Sequence, residues 1–188
     1  ALEPLAFLAM ALFAVYMYRK GEKSHPNKIA LFWTIGASIV SFVGAGLLGF
    51  AHTLPQTNIY THGTLVTAMH GHYAFWGAYA MIVLAIISYA LPNMTGRKRY
   101  NNTTGHMAFW LSNVGMLGMT VAFGVAGVAQ VYLERKMKLD FMDVQNEIAI
   151  HFVVLLLCAT LFATGITLFI IEFIKYGKPT DEALIKEE

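Results

Sequence analysis

The sequence has few charged residues and almost no cysteine. Only 13% of its 188 residues are Asp, Glu, Lys or Arg, whereas 57% are hydrophobic, and the mean hydropathy is +0.56. Apolar runs of about 20 residues can cross the hydrocarbon core of a bilayer, which is about 30 Å thick. The single cysteine, Cys158, lies in such a run, which excludes a disulfide framework and a thiolate metal site. The composition therefore predicts an integral membrane protein.

The start of the chain lacks an initiator methionine and a signal peptide. A signal peptide would combine a charged stretch, a short apolar stretch and a small-residue cleavage site. The chain opens instead on Ala1-Leu2-Glu3-Pro4, already inside an apolar segment. We therefore expect it to be the later part of a longer polypeptide, or a chain whose beginning is not represented.

Five long apolar segments predict the fold. They lack the period-two alternation of a membrane β-barrel, so we expect helices. The predicted fold class is all-α, an integral membrane bundle of five transmembrane helices over residues 1–176, followed by a cytoplasmic tail over 177–188. The helices are predicted at about 1–18, 29–52, 64–91, 106–133 and 144–174.

Basic residues are distributed unequally between the two sides of this bundle. Because cytoplasmic loops carry an excess of Lys and Arg, the distribution predicts a cytoplasmic C-terminus. Since these basic loops follow the topology, we expect the lipid bilayer and no nucleic acid as a partner. One side carries Arg19, Lys20, Lys23, Lys28, Arg97, Lys98, Arg99, Lys175, Lys178 and Lys186, and the other Arg135, Lys136 and Lys138.

The stretch His70-Gly71-His72 lies within the third predicted helix. A helix turns about 100° per residue, so the two imidazoles project about 200° apart and cannot share one metal ion. Zinc signatures on helices instead place histidines three or four residues apart. The spacing suits a helix between two flat cofactors, offering one axial nitrogen to each, and haem iron is the usual centre of that kind. A side chain at Gly71 would enter the same crowded space.

The alternative for this pair is structural. Both histidines could form hydrogen bonds to neighbouring helices without binding a cofactor. Ionisable groups at bilayer depth are costly and usually functional, which favours ligation.

Further motifs surround the histidine pair. They are Ala1-Leu2-Glu3-Pro4-Leu5, Phe50-Ala51-His52-Thr53, Tyr60-Thr61-His62-Gly63-Thr64, Phe75, Gly77-Ala78-Tyr79 and Ile87-Ser88-Tyr89-Ala90-Leu91-Pro92. With His70-Gly71-His72, they resemble the catalytic subunits of cytochrome c-dependent nitric oxide reductases, a family of the haem–copper oxidase superfamily. The resemblance covers essentially the whole chain, and implies that it forms the last five of the family's twelve helices.

The resemblance implies roles for four residues. His70 would be the proximal ligand of a high-spin haem b, and His72 one of two axial ligands of a low-spin haem b. Glu3 would lie close to a non-haem iron, and Thr53 near the high-spin haem. The family's other iron ligands and the second axial histidine come from earlier helices, so the preceding N-terminal helices of the same subunit are expected partners.

The resemblance also implies an activity and a location. The enzyme would reduce two NO to N2O and water with two electrons and two protons, in respiratory electron transport and denitrification. It would lie in a bacterial cell inner membrane and receive electrons from a membrane-anchored cytochrome c subunit.

Three alternatives stay open. A quinol-dependent nitric oxide reductase and a dioxygen-reducing haem–copper oxidase would share the His70 and His72 pair. A non-catalytic diheme electron-transfer subunit would need histidines a dozen or more residues apart along each helix, and no such quartet exists. Metal analysis, non-haem iron against copper, distinguishes the dioxygen-reducing alternative.

Two other features receive structural interpretations. His52 and His62 flank the outer loop, where we favour structural roles over contact with a haem propionate. Gly44-Ala45-Gly46-Leu47-Leu48-Gly49 matches the dinucleotide-binding string G-x-G-x-x-G, but no predicted strand precedes it. Close approach of helices, or of a haem, accounts better for these glycines.

Overall fold

The computed structural model describes residues 3–21, 27–96 and 102–176. These ranges are helical almost throughout. Three π-helical segments interrupt or extend the α-helices: π1 (Phe42–Leu48) joins α2 to α3, π2 (Trp76–Ala80) joins α5 to α6, and π3 (Tyr132–Lys136) follows α7. The α-helices are α1 (Glu3–Lys20), α2 (Lys28–Ser41), α3 (Gly49–Thr53), α4 (Pro55–Thr61), α5 (Leu65–Phe75), α6 (Met81–Thr95), α7 (Asn102–Val131), α8 (Phe141–Glu147) and α9 (Ala149–Tyr176).

Four helical stretches within the described residues are long and apolar enough to cross a membrane. They are Lys28–Thr53, Leu65–Met94, Thr103–Lys136 and Ala149–Lys175. The first predicted span corresponds to α1, which has 18 residues and carries Glu3, Arg19 and Lys20. Its length is about 27 Å at 1.5 Å per residue, slightly less than the hydrocarbon thickness. The all-helical membrane fold is therefore observed, whereas the count of five spans stays a prediction.

The last predicted helix differs from the observed one. In place of a single helix over 144–174, the chain forms the short helix α8 and then α9, with Ile148 between them at φ −93° and ψ 2°. The run Gln145-Asn146-Glu147 is polar, so the apolar stretch of membrane length begins only after Ile148. The predicted tail, residues 177–188, lies outside the described residues.

Aromatic side chains form the centre of the core. Trp33 in α2 has 0% of its surface exposed. Its ring packs edge-on against Trp76, Phe109 and Phe169, at centroid distances of 6.1, 5.1 and 5.8 Å. One side chain of α2 thus contacts the helix that carries the histidine pair, and also α7 and α9.

Small residues allow close contact between α7 and α9. A Cβ added to Gly115 would meet the backbone of Phe162, and one added to Gly165 would meet the backbone of Ser112. Reciprocal contacts of this kind are typical of membrane helices that pack backbone to backbone.

The start of α5 is held by side-chain hydrogen bonds. Thr64 caps the helix by accepting a hydrogen bond from the Val66 N–H at 3.3 Å. The buried Gln130 of α7 accepts from the Leu65 N–H at 2.9 Å and donates to Glu134 at 2.8 Å. The first N–H groups of a helix lack partners within the helix, so these bonds fix where α5 begins.

Candidate functional site

The imidazole of His70 faces π1. Its Nδ1 lies 2.9 Å from the carbonyl oxygen of Gly44. Because a carbonyl oxygen only accepts hydrogen bonds, Nδ1 must carry the proton, and in the neutral ring Nε2 then holds a lone pair. Histidines that bind metals commonly donate their other ring N–H to a backbone carbonyl in this way. His70 is therefore prepared for a ligand at Nε2.

Glycines in and beside π1 make room for this arrangement. A Cβ on Gly44 would lie 2.7 Å from the Ala74 nitrogen, so only glycine lets π1 approach the backbone of α5 this closely. A Cβ on Gly49 would lie 3.2 Å from His70 Cε1 and 3.9 Å from Nε2. Gly49 therefore leaves space beside the edge of the ring that a metal ion would approach.

The imidazole of His72 faces α7. Its Nδ1 lies 2.8 Å from the carbonyl oxygen of Ala68, one turn earlier in the same helix, so its Nε2 also holds a lone pair in the neutral ring. The ring packs against Phe123 at a centroid distance of 4.9 Å.

A cavity of about 570 Å³ opens beside His72. Its walls are otherwise apolar or small, as in sites for flat organic cofactors, and its volume is within the range of about 300–1,000 Å³ for such pockets. The lining residues are Ala68, Gly71, His72, Phe75, Trp76, Ala80, Met116 and Phe162.

The two imidazoles thus lie against different helices, His70 against π1 and α3 and His72 against α7. Gly71 forms part of the cavity wall, and no protein atom other than its own helix backbone and chain neighbours lies within 4 Å of a Cβ added there. Protein packing therefore does not require glycine at this position, and the crowding expected there stays a prediction about cofactor space.

The other two predicted site residues are less closely defined. Glu3 is the first residue of α1, but its side chain lies outside what the structure describes. Thr53 ends α3, is exposed, and donates a hydrogen bond from its hydroxyl to the Phe50 carbonyl at 2.7 Å. The functional roles of Glu3 and Thr53 stay predictions.

His52 has a position that was not predicted from the sequence. Its ring stacks on that of His70, with centroids 5.0 Å apart and planes inclined by 25°. Its Nδ1 lies 3.0 Å from the Leu48 carbonyl oxygen, and its Nε2 is buried without a hydrogen-bond partner among the described residues. The spacing of Gly44, Leu48 and His52, four residues apart along one helical face, is the signal that could have indicated this.

The described residues do not form a non-haem iron site. Within 3–21, 27–96 and 102–176, no three His, Cys, Asp or Glu side chains cluster closely enough to hold a metal ion. This agrees with the expectation that most ligands of that iron lie outside this part of the polypeptide, but it does not test the expectation.

Comparison with known proteins identifies the family. The family described as Cytochrome C and Quinol oxidase polypeptide I matches residues 4–171. The chain belongs to this haem–copper oxidase family. A nitric oxide reductase subunit of Stutzerimonas stutzeri is 40% identical over 186 residues, which are 95% of this chain and 39% of that protein. The family resemblance drawn from the motifs is confirmed, and the chain spans about two-fifths of the length of this relative.

Membership of the haem–copper oxidase family implies haem b, and the similarity to the nitric oxide reductase of Stutzerimonas stutzeri also implies non-haem iron. The surroundings of His70 and His72 fit the first of these groups, since each ring has its Nδ1 on a backbone carbonyl. Gly49 leaves room beside His70, and the cavity opens beside His72. The residues described do not supply a donor set for the second group.

Proposed function

We propose that this chain is part of the catalytic subunit of a membrane nitric oxide reductase, which converts two NO, two electrons and two protons to N2O and water. The observation that carries the proposal is the pair of imidazoles on α5, each with Nδ1 bound to a carbonyl and each turned toward a different helix. The 40% identity to the Stutzerimonas stutzeri nitric oxide reductase supports this reaction in particular.

In this proposal His70 binds the iron of a high-spin haem b and His72 binds the iron of a low-spin haem b. When bound, the haems supply electron transfer and an iron at which NO can bind. The protein holds His70 in one tautomer through Gly44 and keeps space beside the ring at Gly49. It gives His72 an apolar cavity that limits access of water. We assign proton supply to Glu3 and a place near the high-spin haem to Thr53, following the family resemblance.

The proposal includes a setting and partners. The chain lies in a bacterial inner membrane with its C-terminus in the cytoplasm, as the excess of basic residues on that side favours. It assembles with preceding helices of the same subunit, which supply the second axial histidine and most ligands of the non-haem iron. A membrane-anchored cytochrome c subunit delivers the electrons.

The test is to replace each histidine separately in the intact complex. We expect His72→Ala to remove the six-coordinate low-spin spectrum while the high-spin signal persists, and His70→Ala to do the reverse. His106→Ala is the matched control, because His106 lies 17 residues from Phe123 on α7, about 25 Å along the axis. Loss of the same spectral component in both variants would contradict separate ligation.

A further inference from the structure

We propose that His52 is a positioning residue for His70: it fixes the plane of the imidazole that binds the high-spin haem iron. This inference rests on the proposed function, because it assumes that His70 is an iron ligand. The primary observation is the stack of the two rings, 5.0 Å apart with planes inclined by 25°.

The two rings are attached to one face of the same helical stretch. His70 donates from Nδ1 to the Gly44 carbonyl at 2.9 Å, and His52 donates from Nδ1 to the Leu48 carbonyl at 3.0 Å. Gly44 and Leu48 are four residues apart, and a helical turn rises about 5.4 Å. The separation of the two anchoring carbonyls therefore matches the separation of the stacked rings, and both imidazoles are held in the same orientation.

Together these contacts restrict rotation of the His70 ring about its Cβ–Cγ bond. The Gly44 carbonyl restrains the Nδ1 edge, the backbone at Gly49 lies beside the Cε1 edge, and the His52 ring covers one face. Groups that contact a metal ligand in this way orient it and tune the metal. Without His52, one face of the ring would lose its support while the hydrogen bond to Gly44 remained.

The hydrogen bonding of His52 allows stacking to be separated from polarity. Its Nε2 has no partner among the described residues, so replacing the ring by phenyl removes no described hydrogen bond at that atom. His52→Phe retains an aromatic face against His70. His52→Gln retains a polar group but no ring, and His52→Ala removes both.

The experiment measures the iron–histidine stretching band of the reduced complex by resonance Raman spectroscopy, together with the affinity for high-spin haem. We expect His52→Ala and His52→Gln to shift and broaden the band and to lower the haem affinity about tenfold, as for other residues that support a metal ligand. His52→Phe should keep the band sharp and close to its wild-type frequency. The low-spin haem on His72 is an internal reference in every sample, and His106→Ala is the control for a distant histidine.

The outcomes are decisive in both directions. A wild-type band and haem affinity in His52→Ala would overturn the inference, and so would a His52→Phe variant as perturbed as His52→Gln. If His52→Ala does not assemble, the comparison of His52→Phe with His52→Gln still decides. Persistence of the high-spin signal in His70→Ala would instead contradict the proposed function, so the two failures are distinguishable.

Discussion

Replacing Gly44 with alanine perturbs the contact that brings π1 against the histidine helix. The added Cβ would lie 2.7 Å from both the Ala74 nitrogen and the Tyr73 carbonyl carbon. Both are main-chain atoms, so neither can rotate away, and π1 and α5 must move apart. That movement would also lengthen the 2.9 Å hydrogen bond from His70 to the Gly44 carbonyl.

The magnitude follows from three opposing contributions. Overpacking costs about 1–3 kcal/mol, and a lost hydrogen bond costs about 1 kcal/mol. Exchange of glycine for alanine within a helix otherwise stabilises by about 0.5–1 kcal/mol. We therefore expect Gly44→Ala to lower the free energy of unfolding by a net amount of about 1–3 kcal/mol. The high-spin haem spectrum should change, because His70 loses its fixed orientation.

The assay is thermal unfolding of the detergent-solubilised complex, followed by haem absorption. Gly124→Ala is the matched control, because a Cβ there would lie 2.7 Å from Met69 Sδ, an atom of a flexible side chain that can move aside. We expect the control to have a wild-type midpoint or a slightly higher one. If Gly44→Ala unfolds at the same temperature as Gly124→Ala and has an unchanged high-spin spectrum, the steric reasoning is refuted.

Two further predictions concern the start of α5 and the acidic residue of α1. Gln130→Leu would leave the Leu65 N–H without its acceptor, at a cost of about 1–3 kcal/mol, and should lower the thermal midpoint more than Glu134→Gln, which keeps that bond; equal midpoints would exclude this role. Glu3→Gln should keep both haem spectra but lower NO turnover at least about tenfold, equivalent to about 1.4 kcal/mol of barrier, whereas wild-type turnover at full haem and iron content would leave Glu3 a structural role only.

The properties that follow from helix geometry and local composition could be predicted from the sequence. The separation of His70 from His72 around the axis depends only on their spacing in a helix, and the structure places the two rings against different helices. The membrane character follows in the same way from the length of apolar runs. The family was also accessible, because its motifs lie in short contiguous stretches.

The contact between His52 and His70 could not be predicted, because it depends on how two helices pack. The two residues are 18 positions apart, and π1 lies shortly before His52. A π-helical segment changes the residue spacing along the face, so an ideal helical wheel drawn through 42–53 assigns side chains to the wrong directions. The break at Ile148 escapes prediction for a different reason, since the predicted helix begins within a partly polar stretch.

The helix that carries the histidine pair explains why the two candidate haem sites should respond separately to mutation. Residues 65–95 form one continuous helix through α5, π2 and α6, so the axial separation of His70 and His72 is about 3 Å and does not depend on packing. The surroundings of the two rings are independent, however. Gly44, Gly49 and His52 contact only the His70 side, whereas Phe123 and the cavity lie on the His72 side. Packing changes in π1 or α3 should therefore alter the high-spin spectrum while the low-spin spectrum stays constant.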